Sequence, residues 1–118
     1  MVATVEDARR IAATLPRSYE AVVRGRLKFR VGQLVYVAFS ADEETMGFAF
    51  PKEEREALVA GDPEKFAMPS KGDLRYHWVT AHLDALDIDE LTEIIVEAWT
   101  MVVPKGVAAE HLRTLGLG

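Results

Sequence analysis

Polar and apolar positions change rhythm several times along the chain, and each rhythm predicts an element. Val5, Ala8, Ile11, Ala12 and Leu15 recur at helical spacing, Thr4 and Asp7 form a capping-box pair, and Pro16 ends the run. A first amphipathic helix with that stripe in the core is expected there. From residue 18 to residue 50 the period falls to two. "SYEAVVRG" alternates Tyr19, Ala21 and Val23 and breaks at Gly25. "RLKFRV" sets Leu27, Phe29 and Val31 against Arg26, Lys28 and Arg30 on opposite sides of a strand. Gly32-Gln33 between apolar runs predicts a hairpin with glycine at the first turn position. "LVYVAFS" is apolar on both sides and reads as a central strand, and "TMGFAF" returns the chain after a turn at "ADEE".

Pro51 suits the first position of a second helix, "PKEEREALVAG", closed by Gly61. "DPEKFAMPSKGDLR" reads as a loop. "YHWVTAHL" is a further strand with Tyr76, Trp78, Thr80 and His82 on one side and His77, Val79, Ala81 and Leu83 on the other. Large groups on both sides suggest an inner strand or one under a helix, and Trp78 and Trp99 are assigned to the core. Asp87 and Glu90 start a helix from about Ile88 to Val103 that buries Leu91, Ile94, Ile95, Ala98 and Val102 and turns Glu90, Glu93 and Glu97 to solvent. After Pro104, "GVAAEHLRTLG" predicts a short terminal helix. The expected fold is α+β in two layers: an antiparallel sheet of about five strands with helices on one face, in the order α-β-β-β(-β)-α-β-α.

Composition narrows this picture. A chain of 118 residues is expected to form one domain over residues 1–118, large enough for a core without staples. The absence of cysteine removes disulfides, thiol catalysis and thiolate metal sites. The N-terminal decapeptide has no apolar h-region, and "IIVEAWTMVV" contains Glu97 and falls well short of a membrane span. A soluble, cytoplasmic protein with no membrane partner is expected. The net charge of −5 is unevenly distributed: residues 1–40 carry seven Lys/Arg and three acids, whereas residues 41–118 carry seven and sixteen. Such a polarised chain can steer an anionic partner to one region while repelling it from another.

Four stretches together resemble the MmcQ/YjbR family: "LP" (15–16), "GRLKFRVGQLVYVAF" (25–39), "FPKEEREALVAGDPEKF" (50–66) and "HWVTAHLDALDIDELTEIIVEAWTMVVPK" (77–105). The resemblance covers nearly the whole chain. It implies an α+β domain with a shape compared to double-wing DNA-binding proteins, and a DNA-binding role by that analogy of fold. It supplies no catalytic residues. Relatives often place Arg after "VPK"; Gly106 stands there in this chain, which leaves Lys105 alone.

Side-chain chemistry points the same way. His77 and His82 are five apart in a predicted strand and face opposite sides, so they do not chelate together, and His111 is distant. No metal-ligand motif, nucleophile elbow or phosphate-binding glycine loop occurs, so no catalytic residue, metal or cofactor is expected and the protein is read as a non-enzyme. The stripe Arg24, Arg26, Lys28 and Arg30 remains. One reading is the wet face of a sheet, its cations paired with acids on neighbouring strands and protecting an edge. The other is weak, non-specific DNA binding through these four residues and Lys105, with Tyr19, Tyr36 and Phe39 as aromatic neighbours. The alternative partner is another protein, met by the sheet face or an edge strand. Oligomeric state is left open by the sequence.

Overall fold

The computed structural model describes residues 2–116, which form four helices and one six-stranded antiparallel sheet. Helix α1 (Val5–Ala13) begins at Thr4, whose hydroxyl accepts the Asp7 N–H while the Asp7 carboxylate accepts the Thr4 N–H. Strands β1 (Ser18–Val23), β2 (Arg26–Val31), β3 (Leu34–Phe39) and β4 (Thr45–Ala49) follow as a meander. Two-residue loops join the first three. Arg24 and Gly25 both have positive φ (+54° and +78°), the type I′ geometry, whereas only Gly32 does in the second loop (+59°), as in type II′.

Beyond β4 the chain forms α2 (Arg55–Gly61), the two-residue strand β5 (Phe66–Ala67), strand β6 (Trp78–His82), α3 (Ile88–Thr100) and α4 (Lys105–Thr114). The sheet order is β1-β2-β3-β4-β6-β5. The α+β class, the single-sided helical layer and the Gly32-Gln33 hairpin match expectation. Three details differ. There are six strands, because Phe66 and Ala67, in the segment read as loop, pair with Ala81 and Thr80; burial of Phe66 and backbone pairing outweigh the missing local periodicity. Helix α2 starts at Arg55, since the Pro51 carbonyl accepts the Glu54 N–H in a tight turn rather than opening an α-helix. Helix α3 ends at Thr100, three residues before the expected Val103.

One cross-strand row, Phe29, Val37, Phe48 and Val79, lies at the centre of the core, each fully or almost fully buried. Strand β3 adds a bulge. Val35 and Val37 pair with the adjacent residues Arg30 and Phe29, so Tyr36 is the extra residue. This explains why "LVYVAFS" is apolar throughout: Tyr36, Val37 and Phe39 are all buried. Against this face pack Leu91, Ile95, Ala98 and Trp99 of α3 and Ala8 and Ala12 of α1. The Trp99 indole, fully buried, donates to the Pro16 carbonyl (2.9 Å) and ties α3 to the α1–β1 turn. Arg9 of α1 donates to Glu20 of β1 (Nε–Oε1 2.6 Å) on the same side.

Arg55 is buried, which its place in a charged run conceals. Its guanidinium donates to the carbonyls of Leu74, Tyr76 and Trp78 and so holds the segment that leads into β6. Arg55→Met keeps the apolar stem and leaves those acceptors unpaired, at a cost of about 1–3 kcal/mol. Urea denaturation should show a lower midpoint, and amide exchange should rise over residues 74–78; an unchanged midpoint would discount the clamp. The Arg9 hydrogen bond holds the Glu20 carboxyl below its ordinary range. Its contribution is therefore present above the unfolded pKa, about 4.3, and lost as pH falls through the depressed folded value. The stability difference between the protein and its Glu20→Gln variant should shrink between pH 7 and about pH 3.

Candidate nucleic-acid interface

Because the helices cover one face of the sheet, the other face is open, and β2 turns its cations there. Arg26 is exposed, and Lys28 and Arg30 are half-buried. Their cross-strand neighbours are not acids. Arg26 lies opposite Val23, Lys28 opposite Ala21 and Ala38, and Arg30 opposite Tyr19 and Val35. Among the described residues no ion pair involves Arg24, Arg26, Lys28 or Arg30, whereas Arg9, Arg10 and Lys65 elsewhere are paired. The expected charge pairing across strands is absent; Glu20, the one acid of β1, is on the opposite face with Arg9.

The stripe is shorter than its spacing suggests. Arg24 occupies the left-handed first position of the β1–β2 turn, so it stands at the hairpin tip and does not continue the strand row. Lys105 opens α4 in the helical layer and does not line the open face. Of the aromatic neighbours only Tyr19 is on the open face, where its hydroxyl donates to the Gly32 carbonyl (2.5 Å). The bulge turns Tyr36 inward, where its hydroxyl meets Ser18 (2.5 Å) and burial pushes its pKa up. Phe39 packs edge-on against Phe29 in the core.

Across β3, β4 and β6 the open face is hollowed into a groove of about 770 Å³. Arg26 and Lys28 form one wall, Asp73, Tyr76 and His77 lie at the other, and Ala38, Gly47, Ala49 and Thr80 contribute to the floor. The register makes Lys28, Ala38, Gly47 and Thr80 one continuous row from β2 to β6. Trp78, assigned to the core by its sequence context, is half-buried and lines this groove. Its ring lies against Gly47: a Cβ there would stand 2.5 Å from Nε1 and 2.7 Å from both Cε2 and Cζ2. Only glycine admits the indole at that position. A glycine inside an apolar strand is the sequence signal for such a close approach, and "TMGFAF" contains it.

Other titratable groups are arranged differently. Glu90, Glu93 and Glu97 border a smaller hollow of about 220 Å³ between α3 and the sheet, floored by Phe48, Phe66 and Ile94. They are not uniformly solvated: Glu90 pairs with Lys65 (2.6 Å), and partial burial, reinforced by Glu93 and Glu54, raises the Glu97 pKa. His77 precedes β6 and accepts the Lys52 backbone N–H at Nδ1 (2.9 Å), while His82 ends β6 on the exposed side. Among the described residues no three His, Asp or Glu side chains converge as metal ligands, and no helix is long and apolar enough to cross a membrane.

The fold has a solved counterpart. The crystal structure of the Deinococcus radiodurans protein DR2400, described as a DUF419 domain, superposes with a TM-score of 0.75 at 27% sequence identity, covering 99% of this chain and 91% of that one. No curated protein shows significant similarity to the chain. The sequence profile of the YjbR family matches residues 13–101, from the end of α1 through α3 and so across all six strands. The chain belongs to the YjbR family.

Proposed function

We propose that this YjbR-family domain is a non-enzymatic, cytoplasmic DNA-binding module of low affinity that holds phosphates on the open face of its sheet. Arg26 and Lys28 make the central contacts, with Arg30 beside them on β2 and Arg24 at the hairpin tip. The observation that carries this reading is a strand of cations without acidic partners, two of them lining a groove on the uncovered face. Lys105 lies outside that surface. The overall charge of −5 sets the affinity low, because most of the surface charge repels a polyanion. Side chains supply no recognition helix, so binding is through phosphates and independent of sequence.

Three phosphate contacts on duplex DNA correspond to a log–log salt slope of about −2.7, or about a 40-fold loss between 50 and 200 mM salt. Fluorescence anisotropy with a labelled 20-base-pair duplex at 50 mM salt should give saturable binding in the micromolar range and that slope. The triple variant Arg26→Ala/Lys28→Ala/Arg30→Ala, checked for folding by circular dichroism, should abolish it. Equal binding by the variant, or none by the parent protein at tens of micromolar, would overturn the reading.

A protein partner is the second reading, favoured by one observation. Strand β1 ends the sheet, and Val22 on it is 70% exposed. Strand addition at this edge would pair the free backbone of β1. Val22→Pro should abolish capture of such a partner and leave DNA binding intact; capture that persists in the variant would exclude the β1 edge.

A further inference from the structure

We propose that the nucleic acid held on the open face is single-stranded, with a base stacked on Trp78 and the adjoining phosphate on Lys28. This rests on the phosphate-binding reading above and adds the substrate class. Three features carry it. The first is the indole itself. The Nε1–Cε2–Cζ2 side of the ring is pressed against the backbone at Gly47, and the half-buried residue both packs against the core and lines the groove. An indole backed by main chain is a rigid, pre-oriented surface, and stacking on such a ring requires an unpaired base, because a duplex keeps its base faces covered.

The second is the floor between the ring and the cations. Lys28, Ala38 and Gly47 are consecutive in one cross-strand row, so two strand spacings, about 10 Å, separate the Lys28 backbone from the indole's seat. Ala38 and Gly47 carry nothing that obstructs this span. A lysine stem is long enough to lean across Ala38, which brings its ammonium within one nucleotide of the ring. Arg26, two residues along β2, then stands about 7 Å from Lys28 to meet the next phosphate.

The third is the groove's size. At about 770 Å³ it is an open groove rather than an enclosed cleft. It is suited to one or two nucleotides laid into it. The groove's polar groups besides the cations are Ser40, Thr45, Ser70, Asp73, Tyr76 and His77. Ala49, Thr80 and Met101 contribute methyl and thioether surface to it. The Thr80 hydroxyl is already donated to the Ala67 carbonyl (3.0 Å). Contacts of this kind tolerate any base, in keeping with stacking rather than edge recognition.

The experiment titrates the full chain with unlabelled dT12 and with a 12-base-pair duplex, followed by intrinsic tryptophan emission and by anisotropy of labelled competitors. Trp99 is fully buried, so quenching on binding reports Trp78. The single strand should bind more tightly than the duplex and quench emission. Trp78→Phe should retain single-strand binding in anisotropy and lose the quench. Trp78→Leu, which keeps apolar packing without a ring, should lose about 5- to 150-fold in single-strand affinity while duplex affinity stays nearly constant. Equal or tighter duplex binding, or full single-strand affinity in Trp78→Leu, would overturn this inference and leave the phosphate reading standing, provided the Arg26/Lys28/Arg30 variant still fails. No binding of either nucleic acid would remove both.

Discussion

The row Phe29, Val37, Phe48 and Val79 is the constraint on which the open face depends. Strand side chains alternate, so seating these four against α3 places the neighbouring row, Lys28, Ala38, Gly47 and Thr80, on the other side. A slip of one residue in β2 would drive Lys28 into the core and the Phe29 ring into water. Register is therefore held by the buried row, and the composition of the groove follows from it. Its floor is small and its wall cationic because those are the residues left over when the apolar set is satisfied.

The two faces also differ in how they treat charge. On the helical side Arg9 is bonded to Glu20 and Glu6, and Lys65 to Glu90, so these two cations are locally neutralised. On the open side the partners of Arg26, Lys28 and Arg30 across the ladder are alanine, valine and tyrosine. Exposed ion pairs contribute little to stability, so the asymmetry matters chiefly as a field. The acidic excess of residues 41–118 includes Glu90, Glu93 and Glu97 on α3, in the helical layer. A polyanion approaching from the sheet side meets unpaired cations first.

Several single residues connect the core to the groove. The bulge at Tyr36 lets β3 bury two consecutive side chains while Ala38 stays on the open face. Trp99 fastens α3 to the turn that begins β1, so the helix that covers the sheet is anchored where the hairpin row starts. Arg55 binds the carbonyls of residues 74, 76 and 78, and this fixes the approach to β6 and with it the seat of Trp78. The groove is thus shaped by contacts made on its far side.

Local pattern alone was enough for the starts of α1 and α3, the Gly32-Gln33 hairpin, the inward set of β2 and the alternation in β6, since capping boxes, glycine turns and side-chain period are properties of neighbouring residues. The family resemblance was legible for the same reason, being spread over consecutive motifs. What the sequence by itself could not decide is which of two alternating faces would be covered, and by what. Trp78 and Trp99 look equally apolar in one dimension, yet Trp78 is half-buried and lines the groove while Trp99 on α3 is fully buried against Pro16 and His111. Arg24 falls on the stripe by spacing and leaves it because the turn needs positive φ. Phe66 and Ala67 become a strand only because β6 offers a free edge. Lys105 is grouped with the stripe by charge and separated from it by the helix that carries it. For the tryptophans and for Phe66 and Ala67 the deciding contact joins residues distant in the chain, which is the information that only the tertiary structure holds.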